Sequence, residues 1–149
     1  MFDFISKLRE ELPKFKNILE LGSEKGENLE LLNGYYEIVA SEDEKTKTRY
    51  LKDEFIDIRV IVIDKIKIDT HKRFDCVFSD KTLDDCSLEQ IKESFANQKN
   101  ILDENGIIFH IFDNEKKNKD EVLSCLGENY KLLQSENVEG IFYILAKSL

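Results

Sequence analysis

The chain has 149 residues, 41% of them hydrophobic and 36% charged, with a formal net charge of −9. That length and apolar share predict one domain over 1–149 with a continuous core, and the acidic balance excludes sequence-independent attraction to nucleic acid or an anionic membrane. No apolar run approaches the roughly 18–20 residues of a membrane span, and the Met1-Phe2-Asp3-Phe4 start lacks a basic signal-peptide region, so the expected location is cytoplasmic. Cys76, Cys86 and Cys125 are odd in number and far apart, which predicts buried thiols rather than a disulfide framework or a metal knuckle.

In chain order, Phe2–Leu12 places Ile5, Leu8 and Leu12 on one helical face, and Pro13 ends that helix, which is expected to pack or act as a lid. Ile18–Leu21 reads as the first strand, and Glu27–Leu32 as a short helix closed by Asn33-Gly34. Tyr36–Ser41 is the second strand, and Asp43–Glu54 a helix with a thin apolar edge. Ile58–Ile63 is a β-branched run of the kind buried on both faces of a parallel sheet. Phe74–Phe78 is the fourth strand. Ser87-Leu88-Glu89-Gln90 has the form of a capping box and opens a helix expected to run to a stop at Asn105-Gly106. Ile107–Phe112 is the fifth strand, Asp120–Leu126 a short helix, and Tyr130–Gln134 with Ile141–Ala146 an antiparallel hairpin.

The segment Ile18 to Asn28 is a strand breaking into a glycine-punctuated turn that opens a helix, which is the outline of a nucleotide pocket. A dinucleotide fingerprint counted from Gly22 needs glycines at its third and sixth positions, where this chain has Glu24 and Glu27. The stretch Glu20-Leu21-Gly22-Ser23-Glu24-Lys25-Gly26 instead resembles motif I of class I S-adenosylmethionine (SAM) methyltransferases, an acid and one residue followed by a glycine-rich turn. The resemblance implies an α/β, Rossmann-like sheet of order 3-2-1-4-5-7-6 with strand seven antiparallel and helices on both faces, built from five β–α units and the terminal hairpin. It also implies SAM as cofactor, held by Glu20, Gly22, Ser23 and Gly26. Acids at strand ends extend the likeness. Glu42 stands where the family grips the ribose hydroxyls, Asp64 where it meets the adenine amine, and Ser79 and Asp80 beside the methyl donor. A two-oxygen acceptor suits a vicinal diol, and a carboxylate suits an exocyclic amine.

The segments Phe74–Leu83, Ser87–Ser94 and Asn100–His110 are similar to a compact bacterial branch of these proteins. Two positions depart from the pattern: Glu24 replaces the middle glycine of motif I, and Asp84-Asp85 replaces histidines that tend to follow the leucine. A carboxylate at position 24 is expected to oppose the methionyl carboxylate of the cofactor. No catalytic constellation stands out, which suits methyl transfer, since the sulfonium already activates the methyl group and alignment does much of the work. His110 is expected to be a hydrogen-bonded core histidine rather than a base, and His71 a solvated one. Asp80, Asp84, Asp85, Asp113 and Glu115 follow strands four and five and are expected to rim an acidic mouth that favours a small, neutral or cationic acceptor. No metal site is expected. The open alternative is a methyltransferase-like domain without catalysis, acting as a binding or scaffold subunit. With little chain available to cover a substrate, a homodimer or a partner subunit is a further expectation.

Overall fold

A computed structural model of the chain describes residues 2–149. Its centre is a seven-stranded sheet made of β1 (Asn17–Leu21), β2 (Glu37–Glu42), β3 (Arg59–Val62), β4 (Phe74–Asp80), β5 (Leu102–Asp113), β6 (Tyr130–Val138) and β7 (Ile141–Ser148). The spatial order is β3-β2-β1-β4-β5-β7-β6, as the resemblance implied. The first five strands pair in parallel, whereas β7 runs antiparallel to both β5 and β6. The order reverses between β1 and β4, and in open α/β sheets the carboxyl ends of strands beside such a reversal form the binding crevice.

Five helices cover the sheet: α1 (Phe4–Glu11), α2 (Glu27–Leu32), α3 (Lys45–Glu54), α4 (Leu88–Ile101) and α5 (Lys119–Ser124). Phe4 and Leu8 of α1, Leu29 and Leu32 of α2 and Leu51 of α3 share one apolar cluster with Ile18, Cys76, Phe78 and Phe109 of the sheet. Ile91 and Phe95 of α4 and Val122 of α5 share the other with Leu19, Val77, Ile108 and Phe112. Adjacent strand residues alternate between the two clusters because strand side chains alternate faces. The α1 helix is thus a packing helix, with Phe4 stacked 5.1 Å from Phe78. No helix among the described residues is long and apolar enough to cross a membrane.

Several expectations need correction. Only β1, β2, β4 and β5 are followed by helices, so there are four β–α units, not five. Between β3 and β4 the chain lays Ile66 and Ile68 directly on the core. That loop is tied down by Ser94 Oγ donating to the Lys65 carbonyl (2.6 Å) and Asn97 Nδ2 donating to the Ile66 carbonyl (2.7 Å). The β-branched run that forms β3 is not buried on both faces: it is an edge strand, and Val62 keeps 49% of its surface exposed. β-branching selects an extended backbone and carries no information about position in the sheet. Asp43 precedes α3 rather than belonging to it.

Asn105-Gly106 is no helix stop. The capping box at Ser87 forms as expected, but α4 ends at Ile101 and passes straight into β5. Asn105, with φ 65°, lies inside the strand where its register against β4 jumps from Leu102 to Ile107. The last two strands are longer than expected and close through Glu139-Gly140, with φ 51° and 84°, the twist-matched two-residue hairpin turn.

Candidate functional site

β1 ends at Leu21, and the backbone turns through Gly22 with φ 64°. Thr82, from the segment after β4, donates its hydroxyl to the Leu21 carbonyl at 2.9 Å. A Cβ on Gly22 would lie 2.5 Å from Thr82 Cγ2, so the glycine answers both the backbone angle and this close approach. Gly26, with φ 85°, lies against Phe55, whose Cε2 would sit 2.3 Å from an added Cβ.

The turn is then fastened to β2. Ser23 donates its amide to the Ser41 carbonyl (2.8 Å), and its hydroxyl accepts the Ser41 amide (3.2 Å). Ser41 Oγ donates to the Glu20 carbonyl at 2.6 Å. Glu24, with φ 51°, donates its amide to Glu42 Oε2 at 2.6 Å. One Glu42 oxygen therefore holds the turn.

These contacts border a cleft of about 220 Å³ at the carboxyl ends of the strands, lined in part by Leu21, Gly22, Glu24, Glu42, Ile63 and Thr82. A wider depression of about 630 Å³ also touches Glu24 and Glu42 and extends to Tyr50. The cleft is not uniformly acidic. Lys47, Lys65 and Lys81 line it together with Glu24, Glu42, Asp43 and Asp85. Lys47 pairs with Asp43 at 3.0 Å, and Lys65 Nζ donates to the Thr82 carbonyl at 3.1 Å.

Glu20 and Asp80 each sit one residue before a lining position, Leu21 on β1 and Lys81 just after β4, and Asn28 joins them. The Asn28 amide nitrogen donates to Asp80 Oδ2 at 3.1 Å and to Glu20 Oε2 at 3.3 Å. Glu20 is 1% exposed, and its Oε1 has no hydrogen-bond partner. Burial pushes its pKa from 4.5 to about 7; Ser23 and Asn28 draw it down only in part, and Asp80 and Glu27 add repulsion. Burial therefore favours the protonated form of this carboxyl well above the pH at which an ordinary carboxyl ionises.

Of the expected cofactor residues, Gly22 and Glu42 line the cleft, Ser23 and Gly26 shape its turn, and Glu20 and Asp80 meet through Asn28. Asp64 and Ser79 are placed differently. Asp64 Oδ1 accepts the amides of Ile66 and Lys67 at 2.7 and 2.8 Å, so it caps its own loop, and those bonds hold its carboxyl below the usual range. Ser79 is fully buried and hydrogen-bonds His110 Nδ1 at 2.6 Å.

His110 is a core residue, as expected. Its Nε2 lies 2.6 Å from Gln98 Oε1, which can only accept, so Nε2 carries the proton and Nδ1 accepts from Ser79. Gln98 passes the chain of bonds to Ser94, which donates to Lys65 beside the cleft. Burial lowers the His110 pKa to about 3, so it is neutral at physiological pH. His71 is exposed. Of the acids expected to rim the mouth, Asp85 lines the cleft and lies 3.8 Å from Lys116, whereas Asp84 is buried and accepts the Asp113 amide at 3.1 Å and Asp113 Oδ1 accepts the Glu115 amide. No group of three or more His, Cys, Asp or Glu side chains among the described residues is arranged to hold a metal ion.

Sequence reasoning missed Asn28, Thr82 and Lys65. Asn28 carries no signal beyond its place on the first turn of α2, and Thr82 and Lys65 acquire their roles only when β1, β3 and β4 are brought together.

No protein-family model matches the sequence, and no curated protein sequence does. Solved structures do match. A SAM-dependent methyltransferase from Clostridium acetobutylicum aligns with a TM-score of 0.84 at 13% identity, over 97% of this chain and 89% of that one. A SAM-dependent methyltransferase from Aquifex aeolicus aligns with a TM-score of 0.79 at 18% identity, over 99% and 90%. The N-methyltransferase NodS from Bradyrhizobium japonicum, in complex with S-adenosyl-L-homocysteine, aligns with a TM-score of 0.79 at 14% identity, over 97% and 84%. In strand order, in the single reversed strand and over nearly its whole length, this chain has the class I SAM-dependent methyltransferase fold.

Proposed function

We propose that the chain binds SAM at the carboxyl ends of β1, β2 and β4 and transfers its methyl group to a small acceptor. The observation that carries this reading is the buried, partnerless Glu20 Oε1 beneath a positive-φ glycine turn. An orphaned carboxylate oxygen is costly in a folded chain unless a ligand completes it, and SAM brings an ammonium of the right charge. Glu42 supports the same reading. One of its oxygens is bound to the Glu24 amide, which fixes the carboxylate and leaves the other for a ribose hydroxyl. Leu21 and Ile63 offer apolar walls to the adenine, and Asp85, rather than Asp64, lines the cleft beside them. When bound, the cofactor supplies an activated methyl group; the chain's task is to hold it in line with a nucleophile and keep the reacting centre dry.

Because Lys47, Lys65 and Lys81 line the cleft among the acids, its charge is mixed, and the acceptor needs no positive charge to enter. The net charge of −9 supports a small molecule over nucleic acid. Calorimetric titration with SAM and S-adenosylhomocysteine tests the reading. Saturable one-to-one binding is expected, weakened by about 1–3 kcal/mol in Glu42→Ala, the scale of lost charge-assisted hydrogen bonds. No heat and no thermal shift at millimolar ligand would overturn the assignment.

A further inference from the structure

No helix carries the chain from β3 to β4, so the loop that forms one wall of the cleft is held by side chains. From behind, Ser94 Oγ donates to the Lys65 carbonyl at 2.6 Å. That hydroxyl is the last link of a head-to-tail chain: Ser79 Oγ donates to His110 Nδ1 (2.6 Å), His110 Nε2 to Gln98 Oε1 (2.6 Å), and Gln98 Nε2 to Ser94 Oγ (3.0 Å). Ser79, His110, Gln98 and Ser94 are all fully buried. The Gln98 amide already points a hydrogen at Ser94 Oγ, so the single hydroxyl hydrogen of Ser94 goes to Lys65. From the front, Lys65 Nζ donates to the Thr82 carbonyl at 3.1 Å. Lys65 follows β3 and Thr82 follows β4, and β2 and β1 lie between those strands in the sheet. Thr82 in turn donates its hydroxyl to the Leu21 carbonyl at 2.9 Å and lies against Gly22.

We propose that Lys65 is a positioning residue for the ligand of this cleft: its ammonium braces the loop after β3 against the segment after β4, and the buried Ser79–His110–Gln98–Ser94 chain holds its backbone in place behind. This rests on the SAM reading above, in which the adenine lies against Leu21 and Ile63. The first of these is tied to Thr82, and the second stands two residues before Lys65. A lysine stem is flexible, so a donor at its tip fixes a distance only when both its root and its target are fixed. Here the root is held by Ser94, and the target by Leu21. The charged donor makes the Lys65–Thr82 bond stronger than one between neutral groups. Without it the two walls move independently, and a ligand has to order them as it binds, which lowers affinity. Ser94, which does not line the cleft, therefore tunes affinity through Lys65.

The test is calorimetry on the full chain with S-adenosylhomocysteine and with 5′-methylthioadenosine, a neutral adenosine without the amino acid, together with amide NMR of the ligand-free protein. Lys65→Met keeps the stem and removes the donor. It should weaken both ligands by the same factor, about tenfold, the scale of one charge-assisted hydrogen bond. Lys65→Arg should restore most of that loss. Ser94→Ala should weaken both ligands by about threefold, and the double variant should be no weaker than Lys65→Met alone, because the two residues act through one brace. In the free protein, Lys65→Met should shift the Leu83 amide, whose nitrogen is bonded to the Thr82 carbonyl carbon, and Ser94→Ala should shift it in the same direction. A loss confined to S-adenosylhomocysteine would make Lys65 a charge that meets the amino acid, and a gain in affinity would make it a latch across the cleft. Additive losses, or a Leu83 amide that Ser94→Ala leaves unmoved, would uncouple Ser94 from the brace. Each of these results overturns the proposal while the cofactor reading stands. If wild type binds neither ligand at millimolar concentration, the cofactor reading falls, and the Leu83 shifts alone decide the brace.

Discussion

Glu20 should make the fold less stable as the pH rises, and Glu20→Gln isolates that effect. A carboxyl whose folded pKa lies above its unfolded value binds more protons when folded, so its contribution is best at low pH and deteriorates as the pH climbs from about 4.5 through 7. Moving the group from 4.5 to about 7 corresponds to about 3 kcal/mol lost once the pH is well above 7. About 2.5 kcal/mol of this falls between pH 5 and pH 8.5. Glutamine keeps the shape and cannot ionise. It leaves an amide where Oε1 lacks a partner, so its absolute stability carries an offset, but that offset does not depend on pH. Urea unfolding of both proteins at pH 5, 6, 7 and 8.5 gives the difference directly. The variant should gain on wild type by about 2.5 kcal/mol across that range, with most of the gain above pH 5.5. A difference that stays flat within about 0.5 kcal/mol would show that Glu20 titrates as an ordinary carboxyl and would refute the burial argument.

Other outcomes follow from single contacts. Glu24 occupies a left-handed backbone conformation, so Glu24→Gly should stabilise the fold by about 1 kcal/mol in urea melts, relieving strain that outweighs the extra chain entropy; a loss of stability would place Glu24 in a different turn. Gly26→Ala should cost more than about 2 kcal/mol because of its φ and the Phe55 ring, and part of that loss should return in Gly26→Ala/Phe55→Ala; strictly additive losses would show the two do not touch. His110 is held neutral, so its contribution is present above pH 6.5 and is lost as the pH falls towards 3. Wild type should therefore lose about 3 kcal/mol relative to His110→Asn between pH 7 and pH 4, and parallel acid-unfolding curves would contradict the buried network.

The sheet was legible because its signals are local. Apolar runs of strand length, the capping box at Ser87 and the Gly22–Gly26 turn all act within a few residues and mark the elements, whereas the strand order that the structure has was implied only by the resemblance to motif I. What was not legible depends on partners far along the chain. The run at β3 has the composition of a central strand and sits at an edge, because nothing local says how many neighbours a strand will have. Asn105-Gly106 looks like a helix stop, yet Leu102 is already paired with Phe74, which starts β5 at Leu102 rather than at Ile107. The site shows the same division. Gly22, Glu42 and the position of Glu20 could be read from motif I and a strand end, whereas Asn28 becomes a bridge only when Asp80 arrives from 52 residues away. Ser79 and Asp64 look available in the sequence and are consumed by His110 and by the loop after β3.

The most direct test of the central claim is to locate the ligand on the protein. Amide NMR spectra recorded during titration with S-adenosylhomocysteine should show saturable shifts at Gly22, Ser23, Glu24, Glu42, Lys65 and Thr82, the turn and cleft described above. They should also show little change at Ser6, Arg9 and Tyr35, which border a separate groove on the outer face of α1. Shifts confined to that outer groove, or none at millimolar ligand, would contradict a SAM site at the carboxyl ends of the strands.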